Sequence, residues 1–166
     1  MRQEKRQCPR NLGIKIFVGI VLLFFVFGVA RFARFVHIRL QWNAFQLQYA
    51  ACTYDVGTEG GALKAVHESE TVSVCHANAN YVYRMIKTAS VADCRSAKDV
   101  REQIFLEFSD GGAAVLSQEN DGRVHVDFTN PAGDRWKFHL GKCDYSKMRK
   151  LLSVEGAAIE NAPWTD

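Results

Sequence analysis

The segment that most constrains this chain is a run of 15 uncharged residues near its N-terminus, IFVGIVLLFFVFGVA, from Ile16 to Ala30. The run has no polar face, which a core helix in a small domain rarely lacks. At about 1.5 Å per residue it covers roughly 22 Å of a hydrocarbon layer about 30 Å thick. The Arg and Phe residues that follow can carry it into the interface. We therefore predict a transmembrane signal-anchor helix over residues 14–38.

A cleaved secretory signal is the alternative interpretation of this run. Gly28, Val29 and Ala30 end it with the small residues that a signal peptidase prefers. The uncleaved anchor is favoured because apolar residues resume after Arg31. Both interpretations place most of the chain outside the cytoplasm.

The distribution of charge predicts the orientation and narrows the choice of partners. Residues 1–39 hold eight basic residues and one acidic residue, whereas residues 40–166 hold 13 basic and 17 acidic residues. The basic N-terminal tail favours a cytoplasmic N-terminus and a C-terminal domain on the far side of a cell membrane. A net acidic domain argues against a nucleic-acid partner, which requires a basic face.

A chain of 166 residues has room for one domain with a hydrophobic core beside the anchor. The predicted organisation has five parts. They are a cytoplasmic tail (1–13), the transmembrane helix (14–38), a linker or first strand or helix (39–61), an extracytoplasmic domain (62–154) and a C-terminal tail (155–166).

The extracytoplasmic domain is predicted to be a two-layer α+β fold. From Gln103 onward, four alternating segments separated by the turn sequences SDGG, NDG and NPAG predict a four-stranded antiparallel meander. A hairpin over residues 63–74 can extend it at the N-terminal side. Apolar positions three and four apart predict two amphipathic helices, Ala77–Ala89 and Asp144–Ser153.

Residues 41–56 fit two patterns, and the sequence leaves both open. Alternation with glutamines suits a strand with Phe45, Leu47 and Tyr49 on one face. A helix would instead present an apolar stripe of Leu40, Ala44, Leu47 and Ala51.

The turn Asn130-Pro131-Ala132-Gly133 predicts the register of the last hairpin. If Asn130 pairs with Asp134, Phe128 faces Trp136 and Val126 faces Phe138 on the apolar side. On the other side His125 faces His139 and Asp127 faces Lys137. Two imidazoles without a third ligand make an incomplete metal site, so we interpret the histidines as solvated surface residues.

Four cysteines follow the anchor, Cys52, Cys75, Cys94 and Cys143, and their even number predicts two disulfides in an oxidising compartment. Three connectivities are possible, and the expected positions of Cys94 and Cys143 at one end of the sheet favour pairing these two. Four buried thiols in a reducing compartment are the alternative.

An enzymatic function has one candidate, a cysteine hydrolase. Cys75 would lie at a helix N-terminus, with His125 or His139 as its base. The strand pattern places both histidines on the sheet face opposite the helices, which argues against this pairing. No motif for a metal, phosphate or dinucleotide cofactor is found, and none is expected.

The leading functional hypothesis is therefore a non-enzymatic accessory domain anchored in the lipid bilayer, which binds another envelope protein, a peptide or a glycan, in a bacterial envelope. An assembly or secretion component whose transmembrane helix packs in a complex is a further alternative.

Overall fold

A computed structural model describes residues 10–55 and 63–153. The chain divides into two compact units, Met1–Arg39 and Leu40–Asp166. The tail predicted over residues 155–166 and most of the one over residues 1–13 lie outside the described residues, as do residues 56–62.

The first helix, α1, runs from Arg10 to Asp55 and includes the apolar N-terminal segment. Residues Gly13–Tyr54 contain an 18-residue window of mean hydropathy 2.5, none of it buried. This helix is long and apolar enough to cross a membrane, and the predicted span from Ile16 to Ala30 is exposed throughout.

Residues 40–55 are helical, so of the two patterns left open for this stretch the helix is the one observed. The expected apolar stripe lies on one side of this helix but outside the core, because Leu40 and Leu47 are 63% and 73% exposed. The buried stripe is instead Trp42, Phe45, Tyr49 and Cys52. At 100° per residue this stripe lies on the opposite side of the helix, where aromatic rings fill the space above the sheet.

The domain is α+β as predicted, but over the described residues its sheet has seven strands rather than a four-stranded meander with a possible added hairpin. All neighbouring strands are antiparallel, in the order β2-β1-β4-β5-β6-β7-β3. The strands are β1 (Leu63–His67), β2 (Glu70–Val74), β3 (Ser90–Asp93), β4 (Val100–Phe108), β5 (Ala113–Glu119), β6 (Val124–Thr129) and β7 (Arg135–Gly141). The meander is β4 to β7, and the predicted hairpin, β1 and β2, extends it at one edge. The prediction missed β3, which is four residues long and joins the other edge.

The register predicted for the last hairpin is confirmed. His125 pairs with His139, Val126 with Phe138 and Asp127 with Lys137. The Asn130 amide donates to the Asp134 carbonyl at 3.0 Å, and Gly133 takes φ +91°. The turn chemistry therefore places every side chain of β6 and β7 on the expected face.

Two shorter helices complete the layer that contains residues 40–55 of α1. Helix α2 is His76–Thr88, and helix α3 is Tyr145–Leu152, whose N-terminus is capped by the Asp144 side chain accepting from the Lys147 amide. The buried Asn78 side chain donates to the Leu151 carbonyl at 3.0 Å and ties the two helices together. The three helical segments share one core with the apolar side chains of the sheet. We call this side of the sheet the helix face.

Candidate functional site

The connection between β3 and β4 crosses the other side of the sheet. β3 lies beside β7 at one edge, and β4 lies beyond β5, so β7, β6 and β5 separate the two strands. Four strand spacings amount to about 19 Å. The six connecting residues, 94–99, can reach about 25 Å at full extension, so this connection has little slack. We call residues 94–99 the strap and the side it crosses the strap face.

Polar contacts hold the strap along its whole length. Two involve side chains of β6 and β7, and two involve the end of β5. They are Arg95 O with His125 Nδ1 at 3.3 Å, Ser96 Oγ with Lys137 Nζ at 3.1 Å, Lys98 N with Glu119 Oε1 at 2.5 Å, and Asp99 O with Asn120 N at 3.1 Å. Both main-chain and side-chain groups of the strap therefore have partners on the strands beneath.

The strap buries polar side chains that a bare sheet would expose to water. Glu119 and His125, which both contact the strap, are each only 6% exposed. The interpretation of His125 as a solvated surface residue is therefore wrong, while His139 beside it is half-buried. The sequence pattern assigned His125 to the correct face but contained no sign that this face would be covered.

The two histidines stack with ring centroids 4.9 Å apart and ring planes 14° apart. His125 Nδ1 faces the Arg95 carbonyl, and its Nε2 lies 3.3 Å from Glu119 Oε1. Among the described residues, the buried Nε2 atom has no partner with hydrogen-bond geometry. A buried polar atom in this position is where a water or a ligand group is expected.

At this site the pKa of the Glu119 carboxyl and the pKa of the His139 imidazole are both lowered. The hydrogen bond from the Lys98 amide lowers the pKa of Glu119, and the charges of His125 and Arg123 lower it further. Burial lowers the pKa of His139, and His125 and Arg123 act in the same direction. The two shifts have different causes, since a hydrogen bond from the strap outweighs burial at Glu119, whereas burial itself leads at His139.

Between the strap and the β5–β6 turn lies a polar cleft of about 330 Å³. We call it the strap cleft. Both cationic and anionic side chains line it. Its residues are Arg95, Ser96, Lys98, Asp99, Glu119, Asn120, Asp121, Arg123, His125 and His139. Arg123 is held at its rim by ion pairs to Glu119 and Asp121.

The sequence showed no third ligand beside the two histidines, but in the structure the Glu119 carboxylate lies against His125. Even so, no group of three His, Cys, Asp or Glu side chains in the described part of the chain has the arrangement of a metal site. Glu119 is already occupied by the Lys98 amide and Arg123.

The four cysteines are not arranged as the disulfide prediction requires. Among the described residues, no disulfide joins Cys52, Cys75, Cys94 or Cys143. Ser90 pairs with Gly141 and Asp93 with His139, so Cys94 and Cys143 lie beyond opposite ends of this ladder. About 10 Å of paired strand separates those ends, and a disulfide requires Cα atoms within about 7 Å. The favoured Cys94–Cys143 pairing is therefore wrong for this fold.

Burial also makes Cys143 a poor nucleophile. Burial, with a contribution from Asp144, raises the pKa of its thiol to about 11. Its Sγ lies 3.9 Å from Met148 Sδ, in a mainly apolar setting. Cys52, on the core-facing side of α1, is buried in the core.

The residues of the hydrolase hypothesis do not come together. Cys75 is half-buried and precedes α2, directly after edge strand β2. His125 lies on β6, four strands further along the sheet, which corresponds to about 19 Å. The strap cleft contains both histidines but not Cys75.

The predicted pair of Asp127 and Lys137 forms, with Lys137 Nζ 3.2 Å from the carboxylate. Arg135 adds two shorter hydrogen bonds to Asp127, at 2.6 and 2.7 Å, which sequence reasoning missed. Sequence reasoning also missed Glu119, Arg123 and the strap residues. The short segment between Asp93 and Val100 could have pointed to the crossing, but only if β3 had been recognised.

No protein-family model matches this chain, and no curated protein or solved structure shows significant similarity to it.

Proposed function

We propose that this chain is a single-pass membrane protein whose C-terminal domain lies on the extracytoplasmic side and acts as a non-enzymatic binding module. Its ligand is a polar segment of an envelope peptide or glycan, held in the strap cleft. The observation that carries the proposal is the cleft itself, where a buried imidazole nitrogen without a hydrogen-bond partner in the described residues meets a mixed set of charged groups.

The anchor rests on the contrast between two parts of α1. The window of highest hydropathy has no buried residue, whereas Trp42, Phe45 and Tyr49 further along are almost fully buried in the domain. A core helix of a soluble domain would bury its apolar residues, so the exposed apolar segment is better explained by contact with lipid. The basic N-terminal tail supports a cytoplasmic N-terminus.

The strap cleft suits a polar ligand better than an apolar one. Its volume of about 330 Å³ lies at the lower end of the range for ligand sites. Lys98 and Arg123 provide donors, and Asp99, Asn120 and Asp121 provide acceptors. Hydroxyl and amide groups of a sugar or a peptide can pair with both kinds.

The binding test compares two lysines on the same domain. Full-length protein in mild detergent is applied to arrays of envelope glycans and peptides, as wild type, Lys98→Glu and Lys64→Glu. Lys98 lines the cleft, whereas exposed Lys64 lies on β1, away from the strap. We expect Lys98→Glu to weaken retention about tenfold, as loss of a charged contact does, and Lys64→Glu to leave it unchanged. Absence of any retained ligand, or equal loss in both variants, contradicts the proposal.

Orientation is tested separately with a thiol reagent that does not cross membranes. Cys94 is exposed on the strap, so under reducing conditions intact cells should label it from outside. The Cys94→Ser variant identifies the labelled site. Labelling of Cys94 only after permeabilisation would place the domain in the cytoplasm.

A further inference from the structure

The side of α1 that turns away from the sheet, over residues 40–54, is apolar and exposed. Leu40, Leu47 and Tyr54 are 63%, 73% and 72% exposed, with half-buried Ala44 and exposed Ala51 between them. Their spacing alternates between four and three residues, which is the repeat of a coiled-coil seam. We call these five residues the α1 seam.

This surface carries no charge, unlike those of the other helices. Residues 40–54 contain no Lys, Arg, Asp or Glu. By contrast, α2 exposes Arg84 and Lys87, and α3 exposes Lys150 among other cations. A helix face that meets only water normally carries charges, so a neutral face with large apolar side chains marks an interaction surface.

The residues beside the seam favour a second copy of this chain as its occupant. In the heptad that places Ala44 and Ala51 at a and the larger residues at d, the flanking positions within residues 40–54 are Gln41, Asn43, Gln48 and Ala50, and Asp55 takes the next one. Charged flanks would select a partner of opposite charge, whereas neutral amides can face their own copies without repulsion. The alanines at a let two helices approach closely.

We propose that the α1 seam is a homodimer interface in which two chains pack in parallel through Leu40, Leu47 and Tyr54. The parallel alignment rests on the membrane anchor proposed above, because anchored copies share one orientation and the same height above the bilayer. A seam of 15 residues is about 22 Å long and too short to pair stably in dilute solution. Confinement to a membrane raises the local concentration of the chains, and this higher concentration allows the short seam to pair.

The test uses the full-length chain in native membranes. Leu47→Cys places a thiol in the seam, and Ala132→Cys places one in the exposed β6–β7 turn as a matched control. Mild oxidation should produce a covalent dimer of Leu47→Cys well above both the Ala132→Cys variant and the wild type, whose native cysteines set the background.

A second variant separates dimerisation from folding. Because both leucines are exposed, the double variant Leu40→Lys with Leu47→Lys should keep the thermal unfolding midpoint of the domain. It should lower the dimer fraction in detergent about tenfold or more, whereas Leu47→Met should not.

The possible failures are distinguishable. If the protein is bound to membranes but is monomeric and does not cross-link at position 47, the proposed seam interface is wrong and the proposed anchor is unaffected. The same holds if Leu47→Cys cross-links only to a different protein. Recovery of the chain in the soluble fraction overturns the anchor and, with it, the parallel alignment.

Discussion

The two faces of the sheet are buried by different means. On the helix face, aromatic and aliphatic side chains pack against three helical segments, with Phe45 and Phe128 fully buried. On the strap face, burial comes from six residues of connecting chain that cover Glu119 and His125. The first face is held by apolar area, and the second by hydrogen bonds and ion pairs.

This difference shows why the candidate site lies where it does. Apolar packing is non-directional and tolerates exchange of side chains, so the helix face can be stable without being specific. The strap face holds donors and acceptors in fixed positions next to a cleft, and such an arrangement can recognise a polar ligand. The proposed binding site therefore lies on the opposite side of the sheet from the apolar core.

The largest expected effect is on the helix face. Phe128→Ala removes a ring that contacts Phe45, Tyr49 and Phe108, and we expect it to lower the free energy of unfolding by about 3–5 kcal/mol. Urea unfolding of the full-length protein in mild detergent, followed by tryptophan fluorescence, measures the change. The control is Phe105→Ala on the strap face, where the ring is 47% exposed and the expected loss is below about 1 kcal/mol. Equal losses of unfolding free energy in the two variants would contradict the proposed difference between the two faces.

A smaller and local effect is expected for Glu119→Gln. The substitution weakens the acceptor for the Lys98 amide and removes the ion pair to Arg123, while the helix-face core stays intact. Amide hydrogen exchange in residues 94–99 should accelerate about tenfold with little change elsewhere. Glu107→Gln, exposed on β4, is the matched control and should leave strap exchange unchanged. If exchange instead accelerates throughout the domain, the strap is part of the core's cooperative unit.

The strap face should also make stability depend on pH. Because the pKa of His139 is lowered in the folded protein, the unfolded state takes up its proton first as the pH falls through about 6.5. The urea midpoint should therefore fall as the pH drops from 7.5 to 5.5. His139→Gln should flatten this dependence, and His76→Gln at the exposed start of α2 should not. A midpoint that responds identically in both variants would assign the effect to other groups.

The smallest effect is expected for Lys137→Met. Asp127 keeps two hydrogen bonds from Arg135 after the change, and partly exposed ion pairs contribute little, so the loss should be no more than about 0.5 kcal/mol. The same urea experiment measures it. A loss above about 1 kcal/mol would mean that the contact between Lys137 and Ser96 of the strap matters more than the ion pair.

Local patterns predicted the β6–β7 hairpin fully, because one turn and one alternation specify its register. They also predicted both amphipathic helices to within about one residue and the hairpin of β1 and β2. Residues 40–55 were ambiguous because this helix has two apolar sides, one facing the sheet and one exposed. The apolar repeat at positions 40, 44, 47 and 51 forms the second of these sides, and its two leucines are exposed.

The candidate site was predicted only in part. The sequence placed His125 and His139 opposite each other, and the structure confirms that pairing. The sequence did not predict that Glu119 and the strap lie beside these histidines, because that proximity depends on β3 joining the far edge of the sheet. A four-residue strand has too little periodicity to be recognised, and its position is selected by pairing with β7.

The sequence by itself determined the long apolar N-terminal segment, the α+β class and the side of each strand on which a residue lies, because these follow from local patterns of hydrophobicity. Only the tertiary structure decided which side of α1 meets the core, that the strap covers His125, and that Cys94 and Cys143 lie apart. These features depend on the order of strands in the sheet, which is set by contacts between residues distant in the chain. No local pattern carries that information.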